Sequence, residues 1–157
     1  MNYFNKKQYR QKAVRILACL FIIVFLGCAA TPKDKSTDLQ NTMTKASIED
    51  QWGIQVLSIR PSAKGYMLDF RYRIIDPDKA SLLVNRNIKP YLIDQKSGAK
   101  FMVPSGAKIG PLRQTSQKPI ADRNYFILFA NPGKYVKPGD KVTVVVGDFR
   151  AENLTVE

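Results

Sequence analysis

The chain has 157 residues, of which 25 are lysine or arginine and 13 are acidic, so its formal net charge is +12. This length accommodates one ordinary domain after a leader and excludes a second core of similar size. Histidine is the usual general base and the commonest metal ligand, so its absence weakens most hydrolase and metalloenzyme hypotheses.

Residues 1–27 have the three-part pattern of an export signal. Residues 1–15 carry basic side chains and no acidic one, residues 16–26 form an unbroken apolar run, and small residues follow. The apolar run is shorter than the roughly 20 residues that a helix needs to cross a bilayer. The pattern therefore predicts a removable signal peptide rather than a permanent membrane span.

A cysteine stands at the end of this leader. The sequence Phe25-Leu26-Gly27-Cys28 resembles the lipobox of prokaryotic membrane lipoproteins, in which a small residue precedes the cysteine that receives diacylglycerol. The resemblance implies cleavage after Gly27 and lipidation of Cys28 with fatty acyl chains such as palmitate. The alternatives are an ordinary signal peptide cut after Ala30 and an uncleaved anchor.

Residues 29–47 have the composition of a solvated tether, because they are rich in Thr, Ser, Lys, Asp, Asn and Gln and lack a sustained apolar period. A coil of this length spans roughly 25 Å and extends to about 60 Å. The alternative is a helical turn or two within residues 39–49. The predicted organisation is a signal peptide at 1–27, the lipidated Cys28 with its tether at 28–47, and a domain at 48–157.

From Trp52 onward the sequence has short strands separated by turn residues. Apolar residues alternate with Asp69, Arg71 and Arg73 along residues 66–74, which predicts a strand with one buried face. Asp76 and Pro77 predict the cap and first turn of a short helix at residues 79–84. The other predicted strands are residues 53–60, 90–94, 100–103, 124–130, 141–146 and 149–156.

The turns between these strands give further predictions. Residues 61–65 are a loop of turn-forming types, Gly98 occupies a positive-φ position in a hairpin, and Gly147 marks a bulge. Residues 104–123 contain several Gly and Pro residues and no clean period. A long connection of this kind is seldom kept in a small domain without a reason, so it is the first place to expect a binding surface.

Short antiparallel strands at this spacing predict an all-β fold, a single sandwich of about seven strands with one short helix. The sequence of residues 135–144 resembles turn-and-strand segments of immunoglobulin-like domains in exported bacterial proteins, which implies an immunoglobulin-like β-sandwich. A small β-barrel is the alternative. Since the two cysteines, Cys19 and Cys28, fall in the leader and at its end, the domain has no disulfide.

Catalytic patterns are weak in this sequence. Ser97 with Lys100 and Ser105 with Lys108 fit the Ser-x-x-Lys pattern of penicillin-binding enzymes, but that chemistry needs the motif on a helix. Each copy here contains glycine and lies in a predicted turn. No metal site, cofactor site or nucleotide-binding loop is predicted, so the domain is expected not to be an enzyme.

Basic side chains provide the candidate binding residues. Arg71 and Arg73 project from the polar face of their strand, where they could pair with phosphate or carboxylate, although charges there also discourage edge pairing. In an exported protein, a positive excess favours anionic lipid, glycolipid or cell-wall carboxylates over nucleic acid. The candidate binding residues are Arg71, Arg73, Lys108, Arg113 and Lys118.

The predicted function is a non-catalytic binding or assembly module, held by its lipid in the cell envelope and facing the periplasm. The Ala29-Ala30 pair resembles lipoproteins sorted to the outer membrane. An envelope protein or an anionic glycan or lipid is the expected partner, and the oligomeric state is open. The alternatives are a cell-wall-acting enzyme that uses carboxylates such as Asp69 or Asp94, and a purely structural envelope lipoprotein.

Overall fold

The computed structural model describes residues 47–157. The predictions for the signal peptide, for Gly27 and Cys28, and for the tether up to residue 46 lie outside the described residues. The described chain begins in a helical segment at residues 47–52, which overlaps the helical alternative predicted at residues 39–49. Between residues 47 and 157, no helix is both long and apolar enough to span a bilayer.

Short strands make up most of the regular structure of the described chain, with one helical turn between the second and third of them. Two of the strands, β5 and β6, are only two residues long. The elements in chain order are β1 (Ile54–Ser62), β2 (Met67–Ile74), α1 (Ser81–Val84), β3 (Tyr91–Asp94), β4 (Lys100–Met102), β5 (Ser105–Gly106), β6 (Gly110–Pro111), β7 (Asn124–Ala130), β8 (Lys141–Val146) and β9 (Phe149–Thr155).

The longer strands form two antiparallel sheets. One has three strands in the order β1-β2-β7, and the other has four in the order β4-β3-β8-β9. When β1, β2, β3, β4, β7, β8 and β9 are taken as strands A, B, C, C′, E, F and G, this is sheet ABE facing sheet C′CFG. That arrangement is immunoglobulin-like. The predicted immunoglobulin-like β-sandwich is confirmed, and each of the seven predicted strands is present.

The core lies between the two sheets and follows the predicted alternation. On β2, Phe70 and Tyr72 are fully buried while Arg71 is exposed, so the predicted phase is confirmed at these residues. The prediction is wrong at Asp69, which is buried although it was placed on the polar face, and at Tyr66, which is exposed. Phe70 stacks on Tyr72 with ring centroids 5.6 Å apart. Inward side chains from β7, β8 and β9 join them in one hydrophobic cluster, for example Ile127, Val144, Val146 and Phe149.

The helix and the loop before β2 differ from their predictions in detail. The helix begins at Ser81, because Asp76 caps the preceding turn instead: its Oδ1 accepts hydrogen bonds from the backbone of Asp78 at 3.0 Å and Lys79 at 3.3 Å. β1 continues through Ser62, so the predicted loop at residues 61–65 is shorter than expected. Turn-forming residues in the sequence indicated where the helix and the loop lie, but not the residues at which they begin and end.

Two glycine turns test the hairpin predictions. Gly98 has a φ of +73°, as predicted for its turn. The bulge predicted at Gly147 is wrong, because Val146 pairs directly with Phe149. Gly147, with a φ of +60°, therefore lies in a two-residue hairpin loop between β8 and β9, a position that favours glycine.

Candidate functional site

The long connection at residues 104–123 extends the three-stranded sheet. After the β5–β6 hairpin, Arg113 forms an antiparallel bridge with Ile127 of β7. The amide of Gln114 donates a hydrogen bond to the carbonyl of Phe126 at 3.1 Å. The Gln114 side chain accepts one in return from the Phe126 amide at 3.1 Å. The middle of the connection is thus held along the outer edge of β7.

Arg113 points into the protein, since it pairs with Ile127, which faces the core. Its Nη1 donates to the carbonyl of Ile88 at 2.8 Å, and its Nη2 donates to those of Leu83 at 2.7 Å and Asn85 at 3.2 Å. The residue is only 8% exposed. The prediction of Arg113 as a surface binding residue is therefore wrong, because its guanidinium fastens the connection to the end of α1.

Tyr72 interacts with Arg113 in this interior. Burial raises the pKa of Tyr72 well above its usual range, and the charge of Arg113 opposes part of that rise. Burial also lowers the pKa of Arg113. Among the described residues, the Tyr72 hydroxyl and Arg113 Nε have no hydrogen-bond partner. Both groups are buried too deeply to receive a partner at the surface, so they belong to the scaffold.

A polar cleft of about 330 Å³ opens between residues 81–87 and residues 115–119. Its walls present hydroxyl and amide side chains, and Arg86 is the one charged residue among those that line it. The amide of Ser116 donates to the carbonyl of Val84 at 3.0 Å, which ties the two walls together. The cleft therefore lies in the long connection where a binding surface was predicted, and it suits a hydrogen-bonding ligand.

Lys118 stands beside this cleft. The Ser116 hydroxyl accepts a hydrogen bond from the Lys118 amide at 3.0 Å and donates one to the Lys118 carbonyl at 2.7 Å. Its chain neighbours Gln117 and Pro119 both line the cleft, and Lys118 itself is exposed. The bonds of this turn hold the Lys118 backbone next to the residues that line the cleft.

Arg71 and Arg73 lie on the outer face of the three-stranded sheet. Arg71 Nε donates to Asp69 Oδ2 at 2.9 Å, and Arg73 Nε donates to Asn124 Oδ1 at 3.1 Å. Within the described chain, the terminal amino groups of both guanidiniums have no hydrogen-bond partner. They are therefore available to a phosphate or carboxylate in the two-pronged geometry that arginine favours.

The sheet brings part of the candidate set together. Arg71 pairs with Phe126 on β7, and Phe126 bonds to Gln114, so the arginine face and the start of the cleft wall lie in one row. Two strand spacings, roughly 10 Å, separate the Arg71 and Gln114 backbones. Lys108 lies exposed in the turn between β5 and β6, and no hydrogen bond or ion pair in the described chain joins it to this row.

The carboxylates and serines considered for catalysis serve the fold. Asp69 is buried and paired with Arg71. Asp94 lies in the other sheet, where its Oδ2 accepts hydrogen bonds from the amide and hydroxyl of Ser97. The two Ser-x-x-Lys copies begin in a turn, at Ser97, and in β5, at Ser105. In residues 47–157 no group of three or more Cys, Asp or Glu side chains could hold a metal ion.

Two features of the surface were missed by the sequence reasoning. Arg86 follows α1 and reaches the cleft only because the connection folds back over it. Two exposed tyrosines, Tyr66 and Tyr135, lie in separate loops. A signal for them exists in the sequence, since each follows a glycine and a lysine within a turn, as Lys64-Gly65-Tyr66 and Gly133-Lys134-Tyr135.

In comparisons with protein-family models, with curated proteins and with solved structures, this chain has no match. The geometry offers three features for a functional argument. They are an exposed arginine pair, a polar cleft lined by Arg86 with Lys118 beside it in the chain, and the buried Arg113 that fastens the connection to the end of α1. All three involve the three-stranded sheet or the connection that extends it.

Proposed function

We propose that this chain is a lipid-anchored envelope protein that acts as a non-catalytic binding or assembly module facing the periplasm, at the outer membrane. Its partner is an envelope component with anionic groups, either a protein or a glycan or lipid. The observation that carries the proposal is the polar cleft with Arg86 and Lys118 at its rim, next to the arginine face of β2.

The proposed anchor rests on the sequence before the domain. Cys28 with Gly27 and the apolar run before them fit the lipobox pattern, and the polar segment after Cys28 supplies a tether. A small domain with its own core suits such a tether, because it can fold without support from the membrane. Residues 48–156 contribute one hydrophobic cluster that is shared by both sheets, which is the core that such a domain needs.

The chemistry of the cleft favours binding over catalysis. No carboxylate lines it, and its hydroxyls, amides and Arg86 are groups that hold a ligand by hydrogen bonds and charge. The carboxylates of Asp69 and Asp94 are buried and engaged with neighbouring side chains. An acid–base mechanism needs a positioned carboxylate that can reach the substrate, and neither residue has that exposure.

The experiment is capture of partners from detergent-solubilised envelope by the full-length chain. Capture should weaken as salt rises, because exposed charges are screened beyond about 8 Å at physiological ionic strength. Replacing both Arg71 and Arg73 by Glu, or Lys118 by Glu, should reduce it further. Arg150→Glu is the matched control, since Arg150 is an exposed arginine that also bonds a nearby carboxylate, on the four-stranded sheet.

Two outcomes would contradict the proposal. One is equal capture by all these variants at every salt concentration. The other is turnover of cell-wall material by the purified chain that a single change such as Asp69→Asn abolishes without unfolding the domain. The second outcome would favour the enzymatic alternative.

A further inference from the structure

Two loops meet at the end of the sandwich where β1 and β7 finish. They are residues 63–66, between β1 and β2, and residues 131–140, between β7 and β8. Asn131 is fully buried between them: its Nδ2 donates to the carbonyls of Gly65 and Val136, both at 2.9 Å. Its Oδ1 accepts from the Val136 amide at 3.0 Å. These bonds fix the two loops as one surface.

Aromatic side chains project from both loops. Tyr66 is 56% exposed and Tyr135 is 53% exposed. Lys134 Nζ lies 5.0 Å from the centroid of the Tyr66 ring, and the Tyr135 ring lies 5.8 Å from that of Phe101. Each tyrosine is thus held in place by a neighbour while about half of its surface remains open to a partner. Exposed, fixed tyrosines are typical of binding surfaces.

The same loops carry uncompensated positive charge. Lys64, Lys134 and Lys137 are exposed, and none of them forms an ion pair within the described chain. The nearby acid, Asp140, is occupied by the turn, since its Oδ2 accepts a hydrogen bond from the Lys137 amide at 2.8 Å. A ligand at this surface would therefore meet three lysines around two tyrosines. We call these five side chains the Tyr–Lys surface.

Both loops turn tightly at a lysine. Lys64 has a φ of +56° and Lys134 a φ of +55°, a left-handed conformation that is costly for residues other than glycine. Gly65 and Gly133, also at positive φ, stand next to the two lysines. These turns fix the places from which the two lysine side chains leave the backbone.

β1 fixes where this surface lies on the sandwich. The strand is nine residues long, about 30 Å, and it runs from Ile54 to the loop that carries Tyr66. The Tyr–Lys surface therefore lies at one end of the sandwich. In a domain that faces the periplasm, as in the proposed function, it is open to the anionic glycans of the cell envelope.

We propose that the Tyr–Lys surface binds a carboxylate-bearing glycan, the chemistry of the cell wall. Tyrosine rings stack on the apolar faces of sugars, and lysines pair with the carboxylates. This inference rests on the proposed function, because it takes the domain to face the periplasm. It is distinct from the cleft and the arginine face, which lie on the three-stranded sheet and the connection along its edge.

The test is sedimentation of the full-length, detergent-solubilised chain with insoluble cell-wall sacculi. We expect Tyr66→Ala and Lys137→Glu each to weaken retention about tenfold, and sacculi with amidated carboxylates to lose most of it. Lys100→Glu is the matched control, because Lys100 also lies over a tyrosine ring, 5.3 Å from the centroid of Tyr91 on β3. That variant should stay within about twofold of the parent chain.

Folding and specificity are checked in the same preparations. The variants should keep the parent's melting temperature, and Lys64→Glu provides a second charge reversal if one variant fails to fold. Unchanged retention in the Tyr66 and Lys137 variants would overturn the inference, as would failure of the parent chain to sediment. Binding to vesicles of anionic phospholipid that untreated sacculi do not compete would overturn the inference in favour of a membrane partner. If the sedimentation test fails but capture of envelope partners still depends on Arg71 and Arg73, the proposed function stands and only the inference about the Tyr–Lys surface is overturned.

Discussion

Arg113→Ala removes the hydrogen bonds that fasten the long connection to the end of α1. The guanidinium donates to the carbonyls of Leu83, Asn85 and Ile88 at 2.7–3.2 Å. A hydrogen bond from a charged donor contributes about 1.5 kcal/mol at the lower end of its range, so three of them amount to roughly 4–5 kcal/mol. Removing a buried cation recovers part of its desolvation cost. The free energy of unfolding should therefore fall by about 3 kcal/mol.

Urea denaturation of a soluble fragment of residues 47–157 measures this loss. Lys118→Ala, in the same connection but exposed, is the matched control and should change stability by less than about 0.5 kcal/mol. Arg113→Lys should fall between the two, because a single ammonium cannot reproduce the planar fork. If Arg113→Ala unfolds at the same urea concentration as Lys118→Ala, the guanidinium does not hold the connection, and Arg113 returns to the candidate binding set.

Three further substitutions on β2 test the packing of this strand. Phe70→Ala should destabilise the domain by about 3–5 kcal/mol and Arg71→Ala by less than about 1, and equal losses in thermal melts would mean that the strand phase is wrong. In the folded chain Tyr72 keeps its proton above pH 10, whereas in the unfolded chain it loses that proton. The contribution of Tyr72 to the free energy of unfolding is therefore present below pH 10 and falls as the pH rises above 10. Tyr72→Phe should therefore lose less stability than the parent between pH 9 and 11, and identical alkaline melts would refute this.

The strand pattern was predictable because each strand carries its own signal. Apolar residues alternate along β2 with a period of two, and burial of Phe70 and Tyr72 follows from that alternation. Turn residues such as Gly98 mark where strands end. Once seven such strands are placed in about 110 residues, two facing sheets are the arrangement that buries their apolar faces.

The site was less predictable because it depends on pairings between distant residues. Arg113 looks like any loop arginine in the sequence, and only its register against Ile127 turns it inward. Likewise, nothing local indicates that Tyr66 and Tyr135 share a surface. That proximity comes from Asn131, whose side chain joins the two loops. Long-range register is the information that local propensity and period do not contain.

The proposed lipidation of Cys28 is the central claim about where the domain acts, and metabolic labelling with a fatty-acid analogue tests it directly. The parent chain and Cys19→Ala should take up the label and remain in the membrane fraction, because a multiply acylated cysteine anchors firmly. Cys28→Ala should take up no label and leave that fraction or stay as an unprocessed precursor. Two results together would contradict the lipid anchor. The parent chain would take up no label, and the Cys28→Ala variant would be processed and membrane-bound to the same extent as the parent chain.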